Sequence, residues 1–380
     1  MSFQDFLQLF NETTPIRQKV DTINVQDTIV VTYTILAEDA INFFIKRQGV
    51  IPKILLIDWN GENNNEIKKI KDFNDKVSLI PYTLINKLTN SKFCLFPKIQ
   101  PEIWSNHGIK RLMFECYAKQ LINNILILHD IYDNCPFPKY DNYIQARIKD
   151  AFFIYERLAD NESKYVFLQT LKAHFTGDQN YIYYSPYKQY FHPKVTASPT
   201  DTVIIDGGSY NGKTAIDLLK LTSNNAQVFS FEAAPEFFEK CIEETKNYPQ
   251  IKMLPYALWN KYDIFYIINQ GGGSYITKEK KEGAGICKSV SIDEFLIKNN
   301  IHDCSLIKFD IEGAEIEALE GAKNTIDKYK PKLQISLYHK INHLFDIPLK
   351  FMKQYPDYEF YMGHHNPACC WETILYAIQK

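Results

Sequence analysis

The stretch Val203-Ile204-Ile205-Asp206-Gly207-Gly208-Ser209-Tyr210-Asn211-Gly212-Lys213-Thr214 constrains this chain more than any other. Apolar residues, an acid, a glycine-rich turn and then Thr214-Ala215-Ile216-Asp217-Leu218-Leu219 read as strand, tight loop and helix. That is the opening of a nucleotide-binding α/β unit. Glycine permits unusual backbone angles in such a turn, and without a side chain it lets a ligand approach the main chain. A glycine-rich loop is weak evidence alone, so its meaning depends on the elements around it.

Those elements repeat. Segments 29–33, 53–58, 77–80, 92–96 and 124–128 read as strands, with helices after the first of them and at 107–120. Alternation of this kind predicts a parallel sheet. Gly49 suits the end of the helix carrying Ala37, Ile41, Phe44 and Ile45. At 380 residues the chain is too long for one ordinary core. Residues 1–140 are expected to form a smaller α/β domain, and 141–380 the main one, with a helical and aromatic lead-in to about 195. The turn Thr34-Ile35-Leu36-Ala37 carries no glycine, so the first domain is expected to be accessory. Presentation of substrate and homodimer formation are roles open to it. The aromatic run Tyr181-Ile182-Tyr183-Tyr184-Ser185-Pro186-Tyr187 suits either a lid or an apolar bridge. In the second half, strands are expected at 202–206, 227–232, 251–254, 264–267, 306–310, 332–337, 358–361 and 372–377.

Bulk properties narrow the class. A net charge of -2 gives no electrostatic footprint for nucleic acid. No apolar run approaches the roughly 20 residues of a membrane span, and Met1-Ser2-Phe3-Gln4-Asp5 has no secretory character. Eight scattered cysteines without a CxxC suit reduced thiols and a cytoplasmic location.

In a doubly wound sheet, ligands lie at the carboxyl ends of the strands. Asp206, Glu232, Asp310 and His339 all fall at or just past such ends. Glu232 closes the second strand 20 residues after Gly212, where a carboxylate can accept both hydroxyls of an adenosine ribose. That pairing serves NAD or S-adenosyl-L-methionine. A dinucleotide lays its pyrophosphate on the loop and favours G-x-G-x-x-G spacing. Here Asp206 directly precedes Gly207-Gly208 and Ser209, which suits a cationic, phosphate-free ligand: S-adenosylmethionine.

Ile307-Lys308-Phe309-Asp310-Ile311-Glu312-Gly313-Ala314-Glu315 leaves a strand and starts a helix. Glu315 suits the favourable charge at a helix N-terminus; Asp310 and Glu312 suit contact with donor or acceptor. Their oxygens could also hold a divalent cation, a reading not adopted here. His339 is the candidate general base, with Asp310 and Glu312 as alternatives, because a hydroxyl needs its proton removed. His339 and His343 form H-x-x-x-H, but Lys340 stands where a zinc protease has glutamate, and Pro348 is expected to crowd any helix. Gly271-Gly272-Gly273 suits a loop over the acceptor or a plain hairpin. His364-His365 with Cys369-Cys370 resembles metal chemistry by composition only, leaving His365 as a candidate substrate contact.

Taken together, Ile205–Gly212, Phe231-Glu232-Ala233-Ala234-Pro235, Ser291-Ile292-Asp293, Ile307–Glu315 with Gly321-Ala322, and Tyr338-His339 resemble the FkbM-type S-adenosylmethionine-dependent methyltransferases. The resemblance covers about 200–380. It implies a Rossmann-like, seven-stranded methyltransferase sheet in the C-terminal half, beside a smaller Rossmann-like N-terminal α/β domain. It further implies O-methylation of a free hydroxyl on a small molecule or glycan, such as a carbohydrate or glycoconjugate precursor. Gly207 departs from the family, in which a branched apolar residue is commoner, and implies a looser turn. Two other readings stay open: an NAD-dependent sugar dehydrogenase or epimerase, disfavoured by the Asp-Gly-Gly loop, and a non-catalytic binding protein.

Overall fold

The computed structural model describes residues 1–12, the first-half strands together with Gly49, and residues 138–178, 181–185, 187–270, 273–366 and 370–380. The expected helices at 35–48 and 107–120 and the turn Thr34–Ala37 lie outside the described residues. The chain groups into two compact units. One comprises Met1–Ile148, Asp160–Lys188 and His364–Cys370; the other comprises Lys149–Ala159, Gln189–Gly363 and Trp371–Lys380. A single division near residue 140 was expected, whereas the chain passes between units several times.

The first unit opens with helix α1 (Phe3–Asn11), whose start is a capping box: Ser2 Oγ accepts from Asp5 N–H and Asp5 returns the bond. Six strands follow: β1 (Arg17–Gln18), β2 (Thr28–Thr32), β3 (Lys53–Asp58), β4 (Val77–Pro81), β5 (Lys92–Leu95) and β6 (Ile125–Leu128). Their order is β1-β6-β5-β2-β3-β4, and every pairing is parallel. Chain order reverses between β2 and β5, the doubly wound pattern. Only the two-residue β1 was not expected. Helices α2 (Asp141–Ala146), α3 (Ile148–Arg157) and α4 (Asn161–Thr176) come next in the chain, α3 grouping almost wholly with the second unit. In α4, Asp160 caps Ser163 N–H at 2.8 Å and every residue from Tyr165 to His174 is buried. Tyr181, Ile182 and Tyr183 are buried in the same unit, with Tyr181 and Ile182 packed on Ala173 and Tyr183 edge-on to Tyr165. This part of the aromatic run is core and not a free lid.

The second unit holds β7 (Val203–Gly207), α5 (Lys213–Leu221), β8 (Gln227–Phe231), α6 (Pro235–Thr245) and β9 (Ile251–Leu254). A side sheet follows, of β10 (Tyr256–Leu258), β11 (Ile264–Gln270), β12 (Gly273–Thr277) and β13 (Gly285–Val290). Then come α7 (Ile292–Lys298), β14 (Leu306–Phe309), α8 (Glu315–Glu320), α9 (Lys323–Tyr329), β15 (Lys332–Ser336), α10 (His343–Gln354), β16 (Tyr358–His364) and β17 (Thr373–Gln379). The main sheet runs β16-β17-β15-β14-β7-β8-β9, with β15 through β9 parallel and β17 antiparallel to β15. Central strands β7 and β14 are buried on both faces, which is why they read as continuous apolar runs. Ala215, Ile216, Leu218 and Leu219 of α5 pack with Ile204, Val228, Ile251 and Leu306, each larger side chain contributing about 1.5–3 kcal/mol of burial.

Two differences from the sequence reading have clear causes. Segment 264–267 belongs to the side sheet, order β10-β13-β11-β12, and not to the main one. Its inner face, Phe265, Ile267 and Cys287, packs on Ala234, Phe237 and Ala257, while Ile264 and Ile286 face outward, so its alternation marks a one-sided sheet. Within it Gln270 pairs with Gly273, a hairpin whose linking residues 271–272 lie outside the described set. The other difference is α10, which continues through Pro348. Leu344, Phe345, Ile347, Leu349, Phe351 and Met352 are all buried, and together they outweigh the roughly 3 kcal/mol cost of an internal proline.

Two motif residues act on helix packing. Asp293 accepts Asn324 N–H at 3.0 Å and Thr325 N–H at 2.8 Å, capping α9 from α7. A Cβ on Gly321 would lie 2.2 Å from the Trp259 carbonyl oxygen, so only glycine lets α8 turn into α9 there.

Candidate active site

The constellation is built at the point where β7 and β14, adjacent in the sheet, end together. Asp206 is fully buried, and its carboxylate lies 3.0 Å from Lys308 Nζ, itself sealed from solvent. The sequence placed Asp206 against a cationic ligand; the cation it meets is Lys308. Ser230 Oγ donates to the other Asp206 oxygen at 2.5 Å and lies 2.8 Å from Ser209 Oγ. Lys308 also donates to the carbonyls of Gly207 at 3.0 Å and Gly208 at 2.6 Å. Burial would lower the Lys308 pKa, but the charges of Asp206 and then Asp310 outweigh it and keep the ammonium charged. A single strand lysine thus clamps the loop from beneath, a role its place in the motif did not reveal.

The glycines answer to this packing. Gly208 has φ +77°, and a Cβ there would sit 1.7 Å from the Asp310 carbonyl oxygen, so the loop's need for glycine comes from close backbone approach to the β14 exit. Gly207 is not loose: its Cβ position is 2.8 Å from Leu258 Cδ1 and 3.1 Å from Phe309. Gly212, φ +74°, starts α5 and faces Thr245 of α6. The variant Gly208→Ala is expected to lower the thermal unfolding midpoint and weaken ligand binding at the loop. The left-handed backbone alone costs about 1–2 kcal/mol, and Asp310 must also move. An unchanged melting curve would show that the loop does not pack on Asp310 in solution.

Glu232, at the end of β8, is buried, and one oxygen accepts Tyr210 N–H at 2.8 Å while the other accepts Ala234 N–H at 2.9 Å. Burial raises its pKa, partly offset by those two N–H groups. A carboxylate offers about four acceptor positions, so lone pairs remain for ligand hydroxyls beside the loop.

On the other side of β7, Asp310 Oδ1 accepts Tyr338 OH at 2.7 Å and Ser336 Oγ at 3.0 Å. His339 Nε2 lies 3.5 Å from that oxygen and 3.4 Å from Glu312 Oε2. Its Nδ1 lies 2.8 Å from Glu315 Oε1, and His343 Nδ1 lies 3.1 Å from Glu315 Oε2. Glu315 is fully buried and also accepts Ile311 N–H at 3.0 Å. Burial would raise its carboxyl, but His339 and then His343 hold it well below the usual carboxylate range. Burial alone would likewise lower His339; the carboxylate of Glu315, then Asp310 and Glu312, push it up to about 9.

That direction runs against the expected general-base role of His339. An imidazole that keeps its proton at neutral pH is a cation, not a general base. Helix-terminus electrostatics also understated Glu315, whose buried carboxylate lies between the rings of His339 and His343. Glu312 sits in left-handed backbone at φ 54°, followed by Gly313 at φ 97°, and burial raises its pKa while His339 pulls it down. Lys308 and Tyr338, quoted in motifs without a role, and Ser230, Gln189, Tyr190 and Glu372, not singled out in the sequence, complete the site. Several of their partners are distant in the chain, 24 positions for Ser230 with Asp206 and 186 for Tyr190 with Tyr376, so no local pattern announces them. His365 lies in the first unit, buried and edge-on to Tyr187, not in this constellation; Cys369 is outside the described residues. Among the described residues, no group of three or more His, Cys, Asp or Glu is arranged to hold a metal ion.

Comparison with known proteins agrees with the motifs. Residues 206–360 match the family model described as Methyltransferase FkbM domain. This stretch is an FkbM methyltransferase domain. A relative, the hexuronic acid methyltransferase AglP of Haloferax volcanii, is 30% identical over 128 residues, covering 33% of this chain. The match spans about half, 52%, of that relative's length. The crystal structure of methyltransferase FkbM from Methylobacillus flagellatus KT superposes with a TM-score of 0.52 at 17% identity, covering 99% of each chain. At that identity it speaks for the fold alone, a Rossmann-like methyltransferase sheet. The FkbM domain begins at Asp206 and so encloses the loop, Glu232, the β14 exit and His339. No helix among the described residues is long and apolar enough to cross a membrane.

Proposed function

We propose that this chain is an S-adenosylmethionine-dependent O-methyltransferase acting on a carbohydrate hydroxyl. The observation that carries the reading is Glu232 held against the glycine loop by the Tyr210 N–H, 2.8 Å away. We read this carboxylate as the acceptor for ribose hydroxyls. The Lys308 ammonium beneath the loop is held by Asp206 and two carbonyls. A phosphate-free adenosine ligand fits these groups. The AglP relative supports a carbohydrate acceptor, and buried free thiols at Cys241, Cys287 and Cys304 support a reducing, cytoplasmic setting.

When bound, S-adenosylmethionine supplies a methyl group on a positively charged sulfur. The chain's own residues bind, align and deprotonate. Glu232 takes the ribose, and the Gly208–Gly212 backbone lines the rest of the donor. Asp310, with one oxygen fixed by Tyr338 and Ser336, orients the acceptor hydroxyl. Glu312, whose carboxyl is raised by burial and sits beside the same hydroxyl position, takes its proton. The His339 imidazolium balances the carboxylates and keeps them apart.

Calorimetric titration of the full chain tests this directly. S-adenosylhomocysteine is expected to bind at micromolar level and NAD not at all; NAD binding, or neither, overturns the proposal. Glu232→Ala should weaken S-adenosylhomocysteine about 10- to 100-fold, the scale of charge-assisted hydrogen bonds. Glu312→Gln should leave that affinity intact and lower turnover by about 10²–10⁴, the scale of general-base catalysis.

A further inference from the structure

The second unit carries a group of side chains that the donor site does not use. Trp371 is 58% exposed and immediately precedes Glu372 and β17. Because β17 runs antiparallel to β15, with Ser336 opposite Ile374 and Leu337 N–H bonded to Thr373 at 2.9 Å, its start lies at the carboxyl end of the parallel strands. That is the end where Asp310 and Tyr338 sit. Glu372 is held there at φ 73°, a left-handed backbone that costs a non-glycine residue about 1–2 kcal/mol and that accumulates at functional sites. Its carboxylate accepts from the Gln189 amide, and the same amide donates to Tyr190 OH at 3.0 Å. Tyr190 is itself left-handed at φ 66°, fixed by its N–H to Tyr376 OH at 3.1 Å and by Gln334 to its carbonyl at 2.8 Å. Two strained residues locked by side-chain bonds hold a carboxylate–amide pair, and the exposed indole is the next residue in the chain to that carboxylate.

We propose that Trp371, Glu372 and Gln189 form the acceptor subsite, and that it takes an uncharged pyranoside in preference to a hexuronate. A pyranose ring has an apolar C–H face that packs on an exposed indole, and its hydroxyls donate to a carboxylate and to the Gln189 amide oxygen. The ionisable groups around Glu372 are Asp310, Tyr190, Tyr338 and His339, with Glu312 beyond Asp310. Carboxylates outnumber the single imidazolium, and the ammonium groups of Lys308 and Lys340 are bonded to loop carbonyls. A sugar carboxylate would meet like charge here. Burial and then the Asp310 charge push the Glu372 carboxyl up to about 7, which agrees with a negative surrounding. The inference deepens the proposed function and rests on it for the meaning of "acceptor", but binding of the sugar needs no donor.

The test is ligand-observed NMR and tryptophan fluorescence on the full chain, without donor, titrating methyl glucoside, mannoside, galactoside and glucuronide. At least one neutral hexoside should bind with a millimolar constant and perturb the fluorescence, with the glucuronide at least several-fold weaker. Trp371→Ala, a surface change that leaves the fold intact, should weaken the hexoside about tenfold, the scale of one stacking contact. Glu372→Gln should narrow the gap between hexoside and glucuronide. Binding of the glucuronide as tightly as the hexosides, no binding of any hexoside, or no effect of Trp371→Ala would each overturn the subsite. S-adenosylhomocysteine titration of the same samples separates the two readings. Donor binding without sugar binding removes the subsite alone, and sugar binding without donor binding removes the methyltransferase reading alone.

Discussion

Replacing Lys308 with methionine is expected to produce the largest loss of stability of any single change in the second unit. Methionine fills nearly the same volume, so packing is kept and charge is what disappears. Asp206 would then be fully buried with one serine hydroxyl as its remaining partner. Removing one member of a buried ion pair costs about 3–5 kcal/mol, and two loop carbonyls also lose their donor, at about 1–3 kcal/mol for each buried group left unpaired. Against a total of about 5–15 kcal/mol, that takes the unit close to unfolding at room temperature. Urea denaturation of the wild type, Lys308→Met, Asp206→Asn and the double variant would measure it. The double variant should recover part of the loss, because it removes the stranded charge along with its partner. Additive losses would show that Lys308 and Asp206 do not interact in solution. The geometry also forecasts weaker S-adenosylhomocysteine binding in Lys308→Met at temperatures where it remains folded, since the loop loses its anchor.

The second large effect belongs to Glu315. Its replacement by glutamine removes the counter-ion of His339, at a cost again of about 3–5 kcal/mol, and it changes how stability depends on pH. The His339 pKa is raised on folding, from 6.5 to about 9. Its contribution is therefore complete below pH 6.5 and is lost as pH climbs through 9, amounting to about 3 kcal/mol across that window. Glu315 has a depressed pKa, so the same interaction, counted once, is also lost in acid as that carboxylate takes up its proton. The wild-type urea midpoint should thus fall between pH 6.5 and 9.5. In Glu315→Gln the midpoint should start lower and stay nearly flat over that range. Parallel curves for the two proteins would mean that His339 does not carry an elevated pKa.

How much of this could be read in the sequence depends on the length scale of the signal. Strands such as Lys53–Asp58 and Val77–Pro81 were legible to within a residue, because each is a short, mostly apolar run. The nearness of Glu232 to the glycine loop was legible too, because parallel register places one strand end beside the next. The charge state of His339 was not. It depends on Glu315, which local reasoning assigned to a helix N-terminus, and on the parallel pairing that sets the β14 exit beside the β15 exit. Short strands like Tyr256–Leu258 carry too few residues for a period to show. Lys308 stood in a quoted motif, yet its role depends on the loop a hundred residues earlier.

The way the chain is shared between the units has a consequence for anyone cutting it. Residues 160–188 and 364–370 cluster with the N-terminal unit although they follow or interrupt the other one. A fragment starting at residue 141 would keep α4 but discard the sheet of its own unit, and a fragment ending at 140 would lose that helix altogether. Either cut divides a unit, so a deletion meant to isolate the FkbM domain is expected to lower the yield of folded protein.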